Sequence, residues 1–147
     1  DAAYLQLEVT ESAAMENPLR SFDMLDGLRQ RGLHVYIDDF GTGHSNLGQL
    51  KRMPIDALKI DKSFVNDVLT DSDDAEITNA IIRLAHALNM RVVAEGVETF
   101  EQVAFLRENG CDEIQGYVVS KPLAPSKVSE LFMRTFSLVE GDQRQQA

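Results

Sequence analysis

The chain has 147 residues, 44% hydrophobic and 26% charged, which is enough for one domain with a core of its own. Lys and Arg total 14 against 24 Asp and Glu, a formal net charge of −10 that argues against a nucleic acid polymer as partner but leaves open a small anionic ligand held through metal ions. Cys111 is the single cysteine, so an internal disulfide is excluded, and no apolar run reaches membrane-span length. These features suit a reducing cytosol, and no signal peptide is visible. The sequence opens at Asp1 and enters a strand almost at once, so the expectation is a piece of a longer polypeptide.

Tyr4 to Val9 alternates Tyr4, Gln6 and Glu8 against Leu5, Leu7 and Val9, which predicts a strand with Glu8 at its C-terminal end. Thr10-Glu11-Ser12 leaves it. Asn17-Pro18 opens a helix with the apolar stripe Leu19, Phe22, Leu25 and Leu28, and Gly32 stops it. His34 to Asp39 then reads as a buried strand ending in two adjacent carboxylates, Asp38 and Asp39, followed by the Gly41–Gly43 turn. Ser45 is positioned to cap a short helix through Leu47 and Leu50. Ile55 to Ile60 predicts a third strand with Lys59 near its end, and Ser63 to Leu69 a short helical turn. The acidic run Asp71 to Asp74 reads as a solvated helix cap rather than a metal loop. The helix after it carries Ile77, Ile81, Leu84 and Leu88 as the stripe packed on the sheet. Met90 to Glu95 predicts a fourth strand, again ending in a carboxylate. Thr99 to Gln102 has the capping-box pattern, with Val103 and Leu106 as the apolar face of the next helix and Gly110 as its stop. Ile114 to Val119 predicts a fifth strand. A last helix uses Val128, Leu131 and Phe132, and Glu140 to Ala147 is a polar, frayed tail.

Strands and helices alternate five times with no hairpin signal, which predicts a parallel sheet with crossover helices. A doubly wound sheet and a (β/α) barrel both satisfy that pattern. Glu8, Asp38, Asp39, Lys59, Glu95 and Gln115 all fall at or near strand C-termini, which favours the barrel, where every strand end faces one shared mouth, over an open sheet, where ligands gather at one switch point. Adjacent carboxylates repel unless a cation neutralises them, and hard oxygen donors suit Mg²⁺ or Mn²⁺. Such a rim fits phosphoryl chemistry with two ions roughly 4 Å apart, a lysine on a phosphate oxygen or the attacking water, and a free carboxylate as base. Acids at a barrel mouth also serve sugars and enolisable acids. His34 and His86 read as structural, His44 lies near the site, and Cys111 reads as an inert buried thiol.

Five short motifs carry a family resemblance. They are Leu7-Glu8-Val9-Thr10-Glu11-Ser12, Asp38-Asp39-Phe40-Gly41-Thr42-Gly43, Leu58-Lys59-Ile60-Asp61, Ala94-Glu95-Gly96-Val97-Glu98-Thr99, and Gln115-Gly116-Tyr117 with Ser120-Lys121-Pro122. In this order, over about residues 4–136, the chain resembles the EAL-domain cyclic-di-GMP phosphodiesterases. The resemblance implies a modified TIM-like barrel that cuts one phosphodiester of cyclic-di-GMP to linear pGpG in bacterial second-messenger signalling. It implies Glu8, Asp38 and Asp39 as metal ligands, Lys59 as the lysine near the water, and Glu95 as base or part of the metal–water network. Gln115 matches a polar residue at the site's edge, Glu11 a glutamate bracing the loop after the Asp pair, and the segment Phe40 to Leu50 a link to dimerisation. Glu98 then braces its loop or caps the next helix.

Two features of the family are missing. The name-giving Glu-Ala-Leu segment and an upstream asparagine ligand would both precede Asp1. A barrel of this kind runs to roughly 250 residues. The chain therefore matches a C-terminal portion, residues 1–136, with a polar tail at 137–147. His44-Ser45-Asn46 also departs from the aromatic and small residues usual there. Five βα units cannot close the barrel. The expectation is two open sheet edges, an exposed apolar interior and a tendency to associate. Cytoplasmic placement, a homodimer, and upstream sensory or GGDEF-type domains follow from the same resemblance. The rival readings are a binding module that retains cyclic-di-GMP without turnover, and an inactive fragment.

Overall fold

The computed structural model describes residues 2–42 and 47–132. Its elements alternate in chain order as β1 (Gln6–Thr10), α1 (Glu11–Glu16), α2 (Pro18–Arg29), β2 (His34–Phe40), α3 (Leu47–Leu50), β3 (Ala57–Ile60), α4 (Lys62–Asn66), α5 (Ser72–Ala87), β4 (Arg91–Ala94), α6 (Phe100–Glu108), β5 (Glu113–Ile114) and α7 (Pro125–Phe132). The strands lie side by side in sequence order, all parallel. Each connection crosses over through helix, as a parallel pair requires.

The two faces of this sheet differ in chemistry. Val35 and Ile37 of β2, Leu58 and Ile60 of β3, and Val92 and Ala94 of β4 point to one side. There they join Leu25, Ile81, Ile82, Ala85, Val103 and Leu106 of the helices in the main core. The alternate residues point the other way, since successive side chains on a strand face opposite sides. Tyr36, Ala57 and Val93 form a second, small buried cluster on that face. One step further along the same strands, on the same face, stand Asp38, Lys59 and Glu95. The exposed apolar interior expected from the sequence is therefore not observed at these positions: the apolar part of the face is a buried patch beneath a polar rim.

Several element boundaries differ from the sequence reading. Tyr4 belongs to a short 3₁₀ turn, and β1 starts at Gln6. Thr10-Glu11-Ser12 leaves β1 straight into a helix the sequence reading did not name, α1, which the Thr10 hydroxyl caps by accepting the Ala13 N–H. Leu19 is 79% exposed and leaves the predicted stripe of α2, whose buried anchor is Leu25. On α5 the buried line is Thr78, Ile81, Ile82 and Ala85, while Ile77 is 39% exposed. Ile81 is buried and Leu84 and Leu88 pack partly buried against the core as expected, so only Ile77 leaves the predicted stripe, and Thr78, Ile82 and Ala85 join the buried face. Ile55 and Asp56 precede β3 rather than belonging to it.

The predicted strand Ile114 to Val119 shrinks to Glu113–Ile114. The backbone of Gly116 lies so close to Val97 that a Cβ would overlap the Val97 main chain. The chain then turns, with Val118 N–H on Val97 O and Val119 N–H on Gly116 O. The capping box of α6 is present as predicted, Thr99 and Gln102 bonding reciprocally. Asp71 caps α5 through the N–H groups of Asp73 and Asp74. Residues 43–46 and 133–147 lie outside the described residues, so the expected cap at Ser45, the nearness of His44 and the polar tail lie there too.

Candidate active site

A bulge in β2 builds the acidic rim. Tyr36 and Ile37 pair with Ala57 and Leu58 in regular register, but the next partners are Phe40 and Ile60. Asp38 and Asp39 together therefore oppose the single residue Lys59. In a regular strand two adjacent side chains point to opposite faces. The extra residue breaks that rule, and Asp39 absorbs the kink with a left-handed backbone, φ +54. Aspartate tolerates this conformation better than most residues. Both carboxylates thus come to the same side.

Lys59 is the centre of the arrangement. It is 2% exposed on a strand whose four residues are all buried. A lysine is almost never this buried without partners. Its Nζ lies 2.8 Å from Glu8 Oε2, 3.0 Å from Asp38 Oδ1 and 2.6 Å from Glu95 Oε1. Burial alone would lower its affinity for a proton, but the carboxylates of Glu8, Glu95 and Asp38 around the ammonium hold it firmly charged, above its ordinary value. Burial raises the Glu95 carboxyl above its usual range. Lys59 opposes that shift, and the charges of Asp38 and Glu8 add to it.

Asp38, Asp39 and Glu95 each offer an oxygen, and these oxygens lie within 4.8 Å of one another. Asp38 Oδ1 is buried and makes no well-aligned hydrogen bond despite its proximity to Lys59. An all-carboxylate donor set with a buried, under-satisfied oxygen fits a hard divalent cation. Glu8 joins this group through Lys59. The four carboxylates carry three more negative charges than the one ammonium balances.

The other predicted residues are placed as follows. Glu11 is buried at the first position of α1. Gln115 stitches β5 to its neighbours through its main chain, N–H to Ala94 O at 2.8 Å and O from Val97 N–H at 3.1 Å, while its side chain is exposed at the rim. Glu98 is exposed, and its N–H donates to Gln102 Oε1 at 2.8 Å. The cap on α6 is Thr99, not Glu98. After Glu95, Gly96 turns the chain at φ +69 with its α-carbon so near α4 that a Cβ would stand 2.6 Å from Lys62 Cβ. Cys111 keeps its thiol protonated, burial pushing it up to about 11, and Sγ donates to Glu113 O at 3.2 Å. His34 and His86 each face an aspartate, Asp56 and Asp112, away from the acidic rim.

The sequence reading missed the bulge and the burial of Lys59. It also missed Asp56 and Asp112. Each aspartate stands just before a strand and accepts the N–H of the second residue of the preceding strand, Val35 or Val92, at 2.8 Å. Asp56 carried a local signal, an Asp directly before the run Ala57-Leu58-Lys59-Ile60, whereas Asp112, followed by Glu113-Ile114-Gln115, carried none.

The chain is 50% identical over 135 residues to the cyclic di-GMP phosphodiesterase NbdA of Pseudomonas aeruginosa, covering 92% of this chain and 17% of that protein. It superposes on the PaMucR phosphodiesterase in complex with c-di-GMP with a TM-score of 0.83 and 46% identity, covering 86% of this chain and 51% of that one. Klebsiella pneumoniae BlrP1 in a manganese/cy-diGMP complex matches with a TM-score of 0.75 and 34% identity, over 82% of this chain and 31% of that one. The chain thus spans about half of the solved PaMucR chain and a smaller part of the longer relatives. The family model described as the EAL domain matches residues 1–122, and the chain belongs to the EAL domain family.

Proposed function

We propose that this chain supplies the acidic and lysine part of the active site of a divalent-metal-dependent phosphodiesterase that opens cyclic-di-GMP to linear pGpG. The observation that carries the reading is the rim itself: a buried lysine held by three carboxylates beside three acid oxygens within 4.8 Å. Without a further cation the rim carries an excess negative charge that would repel a substrate with two phosphodiesters. The named relatives that act on or bind cyclic-di-GMP support the same substrate.

Asp38, Asp39 and Glu95, with Glu8, are the residues to hold Mg²⁺ or Mn²⁺, in one or two positions. When bound, the metal supplies Lewis acidity toward phosphodiester oxygens and makes water a better nucleophile at neutral pH. Glu95, its carboxyl raised by burial, accepts the proton of the attacking water. Lys59 Nζ presents fixed positive charge to a non-bridging phosphate oxygen or to that water. Gln115 lines the edge of the substrate groove. Glu11 and Glu98 hold the loops that follow the Asp pair and Glu95. The two ligands that the family places before this region complete the set in the intact domain. The homodimer, the sensory or GGDEF-type partner domains and the cytoplasmic setting belong to the same proposal. No helix among the described residues is long and apolar enough to cross a membrane.

The test is chromatographic. The intact protein is incubated with cyclic-di-GMP in Mn²⁺, in Mg²⁺ and in EDTA, beside Asp38→Asn and Glu95→Gln. Linear dinucleotide should form only with metal, and both variants should lose activity by at least about 100-fold. Substrate retained without turnover by the wild type would instead favour the binding module.

A further inference from the structure

Three carboxylates crowd the Lys59 ammonium: Glu95 and Glu8 lie 2.6 and 2.8 Å from Nζ, and Asp38 Oδ1 lies at ion-pair distance, 3.0 Å, without a well-aligned hydrogen bond. Two of these carboxylates, Asp38 and Glu95, also belong to the trio of clustered oxygens. The lysine stem is packed within a fully buried strand, so Nζ cannot swing out to solvent to release them. A divalent cation and the ammonium therefore draw on the same carboxylates. From this geometry we infer that Lys59 is a built-in counter-ion that holds Glu8, Asp38 and Glu95 in place without metal, and that it sets the metal affinity by competing for Asp38 and Glu95. The inference rests on the acidic rim being a divalent-cation site, as proposed above.

Two effects of removing the charge oppose each other. Losing the ammonium leaves three acids less well ordered, which weakens binding. It also deletes a fixed positive charge beside a doubly charged ion and frees two ligands. Charge repulsion between a monovalent and a divalent cation a few ångströms apart in a partly buried site outweighs the ordering of three short side chains on a sheet. The device trades affinity for a rim that stays assembled and for a lysine always in place near the reacting phosphate.

The experiment is a Mn²⁺ titration followed by electron paramagnetic resonance on the intact protein and on Lys59→Gln, Lys59→Arg and Asp39→Asn. Lys59→Gln should bind Mn²⁺ at least about tenfold more tightly than wild type and show a larger thermal upshift on metal addition, while Lys59→Arg, which keeps the charge, stays within about threefold. Equal or weaker binding by Lys59→Gln overturns the inference. If wild type and Asp39→Asn bind alike or not at all, the metal reading itself fails, which is a separate outcome. Should Lys59→Gln not fold, the wild type suffices. Mg²⁺ titration of protein labelled with ¹⁵N at lysine should shift the Lys59 side-chain resonance, and a resonance unmoved at saturation overturns competition for shared ligands.

Discussion

Asp56→Ala should destabilise the chain by about 2–3 kcal/mol, far more than a partly exposed residue before a strand normally would. Asp56 Oδ2 accepts the N–H of Val35, a fully buried residue at the start of β2, at 2.8 Å. Its Oδ1 accepts from Arg29 Nη2 at the end of α2, also at 2.8 Å. The carboxylate thus clasps strand, helix and the following strand of one βα unit. Leaving a buried backbone donor without an acceptor costs about 1–3 kcal/mol. The ion pair, with Arg29 38% and Asp56 20% exposed, adds no more than about 1 kcal/mol. The two contributions separate by substitution. Asp56→Asn keeps an acceptor for Val35 and should lose about 1 kcal/mol or less, as should Arg29→Ala. Urea unfolding at neutral pH with unchanged m-values is the assay. If Asp56→Ala lies within about 0.5 kcal/mol of wild type, or Asp56→Asn is as damaging as Asp56→Ala, the backbone clasp is not what holds the unit together. Asp112, with Val92 N–H at 2.8 Å and His86 Nε2 at 2.9 Å, repeats the device one unit later, and Asp112→Ala should behave alike.

Cys111, its thiol pushed up to about 11, should react with iodoacetamide at pH 8 about two orders of magnitude more slowly than a free cysteine, because so little is thiolate. A rate matching a cysteine peptide would refute its burial. Burial would raise Asp61, but hydrogen bonds from the Ser63 hydroxyl and N–H and from Lys62 N–H hold its carboxyl below the usual aspartate range. A depressed folded value contributes stability above the unfolded value and loses it as pH falls through the folded one. The margin of wild type over Asp61→Asn in urea midpoints should therefore be flat at neutral pH, begin to fall near about pH 4 and be lost only below the depressed folded value. A margin that grows toward acid would contradict this. Gly96→Ala combines a left-handed backbone with a close approach to Lys62 and should cost at least about 2 kcal/mol. A loss below about 0.5 kcal/mol in the same unfolding assay would show that the turn can relax.

The alternation of strands and helices was legible because it is a local signal: apolar runs of strand length, then helical spacing, then Gly or Asn stops. The capping box at Thr99 and Gln102 was legible for the same reason. The position of the acids at strand ends followed from where each apolar run stops. How two adjacent aspartates reach one side was not legible, because the bulge is a matter of register between β2 and β3 and leaves no mark in β2 beyond the Asp pair itself. Lys59 looked like a strand-end residue at the rim. Its near-complete burial depends on carboxylates from β1, β2 and the end of β4, distant in sequence. Ile81, Leu84 and Leu88 of α5 were legible as its core stripe, but the burial of Thr78 and the exposure of Ile77 were not, because hydrophobicity along one helix does not report neighbours such as α4. The short β5 reflects the close approach of Gly116 to Val97, a tertiary contact that the apolar run Tyr117-Val118-Val119 conceals.

The central claim is that Asp38, Asp39 and Glu95 hold a divalent cation beside Lys59. Isothermal titration of Mg²⁺ into the intact protein and into the Asp38→Asn, Asp39→Asn double variant tests it most directly. The account predicts saturable binding by the wild type, competed by Mn²⁺, and at least about 100-fold weaker binding by a double variant that still folds. Equal binding by both proteins would place the metal elsewhere and contradict the account.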